Sequence, residues 1–411
     1  VAAITDEPQL PRRRERLKVV GSNSSAGFVN QPDSDSSMPA ERAAVALAVA
    51  RGASLTRWPR PLENQIARLT AEAEVEGVLL EARAAATAWA SEPNLREQML
   101  LKAADLLEQR RYDLISIMVA EAGKTATEAD PEISEAIDFA RFYARSIAAL
   151  SRLDATEFLP NRVTVVVPPW NFPVAIPAGG LLAALAAGSS VVLKPAPQVP
   201  ACSMAVVQAL WDAGVPREVL QIVTVDDGPI GLALVSHDLV DGVVLTGSHD
   251  TARLFVETKP GMRIAAETSG KNSMIITPSA DLDLAAADLA KSAFGHAGQK
   301  CSAASVAILV GSVAESDNFR RQLIDAVQSM KVGREAQSVI GPLIEPPTGK
   351  LLRALTQLET GESWLLEPKQ LDANGYLWSP GIRVGVKPKS FLHLTEVFGP
   401  VLAIMTAKNL N

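Results

Sequence analysis

The sequence predicts an α/β fold: a parallel, doubly wound sheet followed by a second α/β section. Two observations carry this. After Leu159, short β-branched runs alternate with Ala/Leu-rich helical stretches, and the runs are apolar throughout. Strands apolar on both faces and separated by helices belong to a parallel sheet covered on both sides. The same alternation restarts near Lys271.

Taken in order, residues 1–60 are rich in Pro, Ser and Arg, with one helical stretch around 40–52, and read mostly as linker. Residues 62–150 read as helices: Leu79 to Trp89 is Ala-rich, Asn94 to Arg111 is amphipathic, and Asp130 to Leu150 continues the pattern. Pro131 after Asp130 suits a helix start, with Glu132 and Glu135 in the first turns. Strands are expected at 163–167, 190–193, 221–225 and 242–245, with helices near 177–187, 201–213 and 228–235 between them. Beyond Lys271 come a strand at 274–277, a helix from Leu282 to Ala293, a strand at 305–310 and a helix from Glu315 to Met330. There is no internal repeat.

A chain of 411 residues suggests two or three domains at roughly 150 residues each. Hydrophobic residues make up 47%, enough for a sizeable core, which argues against wholesale disorder. The net charge of −7 makes non-specific binding to nucleic acid or an anionic membrane a poor fit. Two cysteines, Cys202 and Cys301, exclude a disulfide framework and a Cys-rich zinc site, and fit a reducing, cytoplasmic compartment. The four histidines lack zinc-ligand spacing, so no metal is expected. No charge-free apolar run reaches the length of about 18 residues that a transmembrane helix needs. The first residues lack the apolar core of a secretory signal. The chain begins with Val and stops inside a continuing strand-and-helix pattern, so it reads as a piece of a longer polypeptide.

Four features carry chemistry. PPWNFP (168–173) follows the strand 163–167, where Asn171 offers an amide suited to an oxyanion, although a Pro-rich turn with an Asn cap reads the same way. VVLKPAP (191–197) ends a strand in Lys194, placed to meet a ribose or phosphate, or simply solvent. LTGSHDTAR (245–253) puts Thr246, Gly247 and Ser248 between a strand and a helix. That is a pyrophosphate turn or an ordinary Ser cap, and no GxGxxG follows any strand. AETSGKN (266–272) and AGQKCSA (297–303) supply Glu267 and Cys301: a carboxylate able to activate water and a thiol able to attack a carbonyl, or an exposed Glu and a buried Cys.

In order and spacing, PWNFP, VLKPAP, TGS, ETSGKN, GQKCSA and EVFGPV resemble the aldehyde dehydrogenase superfamily over roughly residues 65–411. The resemblance implies a Rossmann-type NAD-binding domain, with a helical N-terminal part, over 61–270, and a catalytic α/β domain over 271–411 that the family continues further. It implies Cys301 as nucleophile, Asn171 with the Cys301 N–H as oxyanion hole, and Glu267 as general base. Pro169, Trp170, Lys194, Thr246, Gly247 and Ser248 would meet the cofactor, as would Glu396 at the nicotinamide ribose and Phe398 beside the nicotinamide. NAD is the expected cofactor, with NADP open.

EAGKTATEADPEISEAIDFARFYA (121–144) and SAFGHAGQKCSAAS (292–305) resemble Δ1-pyrroline-5-carboxylate dehydrogenases, and ETSGKN and GYLWSPGIRVGVKPKSFLHLTEVFGPV (375–401) resemble the bifunctional proline utilisation A proteins. That implies oxidation of L-glutamate γ-semialdehyde, with Phe172, Ser302 and Glu135 as substrate contacts. GSNSSAGFVNQ (21–31) resembles the end of the proline dehydrogenase region of those proteins, so 1–60 reads as its remnant, or as an ordinary polar linker. FAD is expected only if such an upstream domain exists, and a homo-oligomer only if the family's C-terminal flap is present. Another aldehyde specificity, such as succinate semialdehyde, and a catalytically silent scaffold are the alternatives.

Overall fold

The computed structural model describes residues 28–55, 66–150 and 158–410. The chain divides into two units: the described residues of Val1–Ala122 with Ala126–Thr268, and those of Gly123–Thr125 with Ser269–Asn411.

The first unit is built on six strands: β1 (Ala67–Leu69), β2 (Val163–Val167), β3 (Ser190–Leu193), β4 (Leu220–Val225), β5 (Gly242–Thr246) and β6 (Ile264–Glu267). They lie in the order β1-β4-β3-β2-β5-β6, and every pairing is parallel. Helices Ala175–Ala187, Pro200–Ala213, Pro229–Ser236 and His249–Thr258 make the crossovers. The central strands are buried on both faces, as their uninterrupted Val/Leu runs require. One face packs Val163, Val165, Val192 and Val243 against Val75, Leu79 and Ala82 of the helix Glu72–Ala90. Gly188, at φ 94°, closes the helix Ala175–Ala187 and turns the chain directly into β3.

Three expectations change here. β1 lies in a stretch expected to be helical; it is three residues long, with Ala67 and Arg68 exposed, too short to show a period. The helix expected to start at Pro131 spans Ala126–Leu150, with the proline inside it. Asp130 does not cap a helix there: its carboxylate accepts from Arg111 at 2.7 Å and from the Ser34 N–H and hydroxyl at 2.5 and 3.0 Å. The linker reading changes for residues 28–38, where Asn30, Gln31 and Ser34 bond to Asp138 and Asp130, while the helix expected around 40–52 spans Pro39–Ser54 with Ala48, Val49 and Gly52 buried. Most of GSNSSAGFVNQ (21–27 of 21–31) lies outside the described residues.

The second unit carries β7 (Ser273–Ile276), β8 (Val306–Val310), β9 (Ser363–Leu366), β10 (Gly381–Val384) and β11 (Val401–Ala407), ordered β7-β8-β11-β10-β9. All pairs are parallel except β9 with β10. Helices Leu282–Phe294 and Asp317–Ser329 cover it, burying Leu289, Phe294, Phe319 and Leu323 against Val306, Ala307 and Leu402. Under the antiparallel edge lies an ion pair: Arg383 and Glu362 meet at 3.0 Å with side chains 1% and 2% exposed. The same guanidinium donates to the Ala354 carbonyl and lies 4.5 Å from the Trp364 ring centre. Removing one partner strands a buried charge, so Glu362→Ala is expected to lower stability by about 3–5 kcal/mol. Urea unfolding followed by Trp fluorescence reads this, and a change below about 1 kcal/mol would contradict it.

Among the described residues no helix is long and apolar enough to cross a membrane.

Candidate active site

In the first sheet the chain runs from β2 outward to β3 and β4, then returns to β5 and β6 on the other side. Strand order therefore reverses between β2 and β5, where a doubly wound sheet opens a crevice beyond its carboxyl ends. The predicted residues of this unit gather along that edge. Pro169, Trp170, Asn171 and Phe172 follow β2, Lys194 follows β3, Thr246 ends β5 with Gly247 and Ser248 next, and Glu267 ends β6. The register keeps them level: Thr246 pairs with Glu267, the Gly247 N–H donates to the Glu267 carbonyl at 3.0 Å, and the Lys194 N–H to the Val166 carbonyl at 2.9 Å.

Each has a local cause. Asn171 is buried in the turn between β2 and the helix Ala175–Ala187. The start of that helix is held by Glu132, itself buried, whose Oε1 accepts the Val174 and Ala175 N–H groups at 2.7 and 3.1 Å. Lys194 runs its ammonium to 3.6 Å from Asp227, whose side chain is 92% exposed, a pairing worth little in water. Ser248 is the N-cap of the helix His249–Thr258, accepting the Thr251 N–H at 3.0 Å. That N-terminus favours an anion, and the exposed Asp250 in its first turn opposes one. The Glu267 side chain is on the exposed edge strand.

In the second unit, Cys301 is exposed, whereas Cys202, in the first, is buried at the start of a helix. The loop before Cys301 is bent: His296 and Ala297 hold φ of 54° and 52°, and Gly298 follows at 68°. Non-glycine residues there cost about 1–3 kcal/mol each and persist only where their surroundings enforce them. The enforcement is visible. A Cβ on Gly298 would stand 2.2 Å from the Gly399 carbonyl, so only glycine fits. The Gln299 side chain donates to the Phe398 carbonyl at 3.4 Å and accepts from the Ile344 N–H at 3.2 Å. Lys124 lies 3.3 Å from His296 Nδ1, so that nitrogen accepts. Burial, reinforced by Lys124 and Lys300, pushes His296 down to about 2 and keeps the ring neutral. Asn272 then ties the loop from the other side, donating to the Cys301 and Ala303 carbonyls at 2.6 and 3.1 Å.

Ser302 is exposed directly after Cys301. Glu396 accepts the Gly270 N–H at 3.2 Å, and Phe398 sits at φ 56° in the turn that meets Gly298. Glu135 is exposed on its helix and faces an open cavity of about 490 Å³ shared with Phe28, Asp33, Asp138 and Phe139. Sequence reasoning passed over Glu132, Gln299 and Asn272 as functional residues. All three stand inside quoted stretches, yet nothing in a motif says which polar side chain turns inward. Among the described residues no group of three or more His, Cys, Asp or Glu could hold a metal ion.

Comparison with known proteins agrees with the motif order. The model of the aldehyde dehydrogenase family matches residues 62–411. A 1-pyrroline-5-carboxylate dehydrogenase of Anoxybacillus flavithermus is 33% identical over 340 residues, covering 78% of this chain and 66% of that protein. The chain thus spans just under two thirds of that relative's length. Among solved structures, Proline Utilization A from Corynebacterium freiburgense superposes with a TM-score of 0.85 at 46% identity, covering 94% of this chain and 39% of that one. A 1-pyrroline-5-carboxylate dehydrogenase from Thermus, solved with bound NAD, gives 0.81 at 28% identity, covering 93% and 83%. With six motifs in order and the family model spanning both units, this chain belongs to the aldehyde dehydrogenase family.

Proposed function

We propose that the chain oxidises L-glutamate γ-semialdehyde, the open form of Δ1-pyrroline-5-carboxylate, to L-glutamate with NAD as oxidant. The observation that carries this is the Cys301 loop: an exposed thiol whose backbone is fixed by Asn272 and by three left-handed residues before it. A structural cysteine has no need of that arrangement; a nucleophile that must meet a carbonyl in one geometry does. The names of the relatives and the Proline Utilization A likeness support the substrate.

In the proposed reaction the Cys301 thiolate adds to the aldehyde carbon. The Asn171 amide and the Cys301 N–H stabilise the resulting oxyanion. NAD, when bound, supplies the acceptor for the hydride that leaves this carbon, and a thioester remains on Cys301. Glu267 takes a proton from water, the hydroxide attacks the thioester, and the carboxylic acid departs as the thiolate is restored.

The residues present fit NAD. Lys194 offers an ammonium to the adenosine ribose, the helix after Ser248 offers backbone N–H groups to the pyrophosphate with Gly247, lacking a side chain, allowing its approach, and Glu396 offers an acceptor to the nicotinamide ribose. Pro169, Trp170, Thr246 and Phe398 complete that reading. Ser302 would donate to the substrate carboxylate, Glu135 would meet its ammonium, and Phe172 would pack against its chain. A proline dehydrogenase, fused or associated, is the proposed source of the substrate. FAD belongs only to such a partner, and the cytoplasm and a homo-oligomer complete the reading.

Steady-state NADH formation with glutamate semialdehyde and with succinate semialdehyde tests the specificity. Recognition of the ammonium predicts a kcat/KM about 10²-fold higher for the former. Equal values, or the reverse order, would reject this substrate.

A further inference from the structure

Asn171 stands in a turn that runs from Pro168 to Pro173 and contains a third proline, Pro169. Proline rings fix φ and carry no N–H with which such a turn could brace itself. The place of Asn171 is therefore set at the two ends of the turn. One end is the sheet, where Val167 pairs with Leu245 and the Lys194 N–H donates to the Val166 carbonyl at 2.9 Å. The other is the helix Ala175–Ala187, whose first turn takes in the neighbour of Asn171: the Ile176 N–H donates to the Phe172 carbonyl at 3.3 Å.

The start of a helix usually meets its first N–H groups with a side chain of the same turn. Val174, the N-cap residue here, offers none. The buried N–H groups of Val174 and Ala175 go instead to Oε1 of Glu132, 2.7 and 3.1 Å away, on the separate helix Ala126–Leu150. Glu132 is 2% exposed, and a buried carboxylate is a costly way to cap a helix. What it adds over a local cap is a tie from the turn to a second helix. Those two helices pack closely, since a Cβ on Gly179 would stand 3.2 Å from the Phe139 ring.

We propose that Glu132 is a positioning residue for Asn171: by holding the Val174 and Ala175 N–H groups it fixes the helix end of the proline turn, and so the point from which the Asn171 amide donates to the oxyanion. This rests on the reading of Asn171 as the oxyanion donor. Such a donor works only when it is set in place before the charge develops, and a misplacement of about 1 Å can cost about 10²-fold. Both contacts go to Oε1, so the reach of that oxygen matters more than its charge. Glutamine keeps the reach, whereas aspartate keeps the charge and falls one methylene short.

The test is single-turnover NADH formation on the full chain at saturating NAD and semialdehyde, with hydrogen exchange at the Val174 and Ala175 amides alongside. Glu132→Ala should slow the turnover about 10–10²-fold and speed exchange at both amides. Glu132→Gln should recover most of the rate, and Glu132→Asp should not. In an Asn171→Ala background, adding Glu132→Ala should slow the turnover by less than about two-fold, because the donor it serves is gone. Losses that multiply in full would overturn the role of Glu132 and leave that of Asn171 standing. A wild-type rate in Asn171→Ala would overturn the oxyanion reading beneath it. If Glu132→Ala does not fold, an Asp variant as fast as the Gln variant overturns the proposal.

Discussion

Replacing Cys301 with alanine is expected to abolish NADH formation, a fall of at least about 10⁴-fold in kcat, while NAD affinity stays within about two-fold. The size follows from the chemistry. Without the sulfur no covalent adduct forms, and direct hydride loss from a free aldehyde has no stabilised route. Cofactor affinity should hold, because no proposed cofactor contact passes through the thiol. The loop should hold as well: Asn272 bonds to the carbonyls of Cys301 and Ala303, not to the sulfur, and alanine leaves both in place. Single-turnover absorbance and titration calorimetry separate the two effects. Thiol labelling of the native chain gives a second reading, since Cys301 is exposed and Cys202 is buried. One thiol should react quickly, and activity should fall in step with it. Turnover that survives in the alanine variant would remove Cys301 from its assigned role.

The parallel sheet was legible in the sequence because its strands are buried on both faces. Val163–Val167 and Ser190–Leu193 have no polar side to confuse with a helix face, and the residues that follow each are punctuated by Pro or Gly. The candidate residues of the first unit were legible for the same reason: they are what comes after each strand. What stayed hidden was decided by contacts distant in sequence. Residues 28–38 look like linker until Asp130 and Asp138, about a hundred residues on, take their hydrogen bonds. β1 is short enough that only the free edge of β4 makes it a strand. The left-handed His296, Ala297 and Phe398 are ordinary L-residues with no sequence sign of strain. Glu132 and Glu135 sit one turn apart on one helix. The sequence offered no reason to prefer the one that turns inward to the helix start at Val174 over the one that stays exposed.

Glu267→Gln is expected to separate the two halves of the reaction. The amide keeps the size and a hydrogen-bonding oxygen but cannot take a proton from water. Hydride transfer precedes the need for that base, so a first turnover should proceed at close to the wild-type rate and release about one equivalent of NADH per active chain. The thioester then waits for water that no carboxylate activates, and the steady state should fall by about 10²–10⁴-fold. Rapid mixing with NAD and semialdehyde shows this as a burst followed by a shallow slope, and mass spectrometry of the quenched protein should find the acyl group on Cys301. Glu267 closes the exposed edge strand β6, and its backbone carbonyl already accepts the Gly247 N–H, so the substitution leaves the sheet and the turn after β5 intact. That separates a missing base from a disturbed fold: loss of the burst together with the steady state would point to adduct formation or cofactor binding, and a steady state unchanged from the wild type would assign water activation to another group.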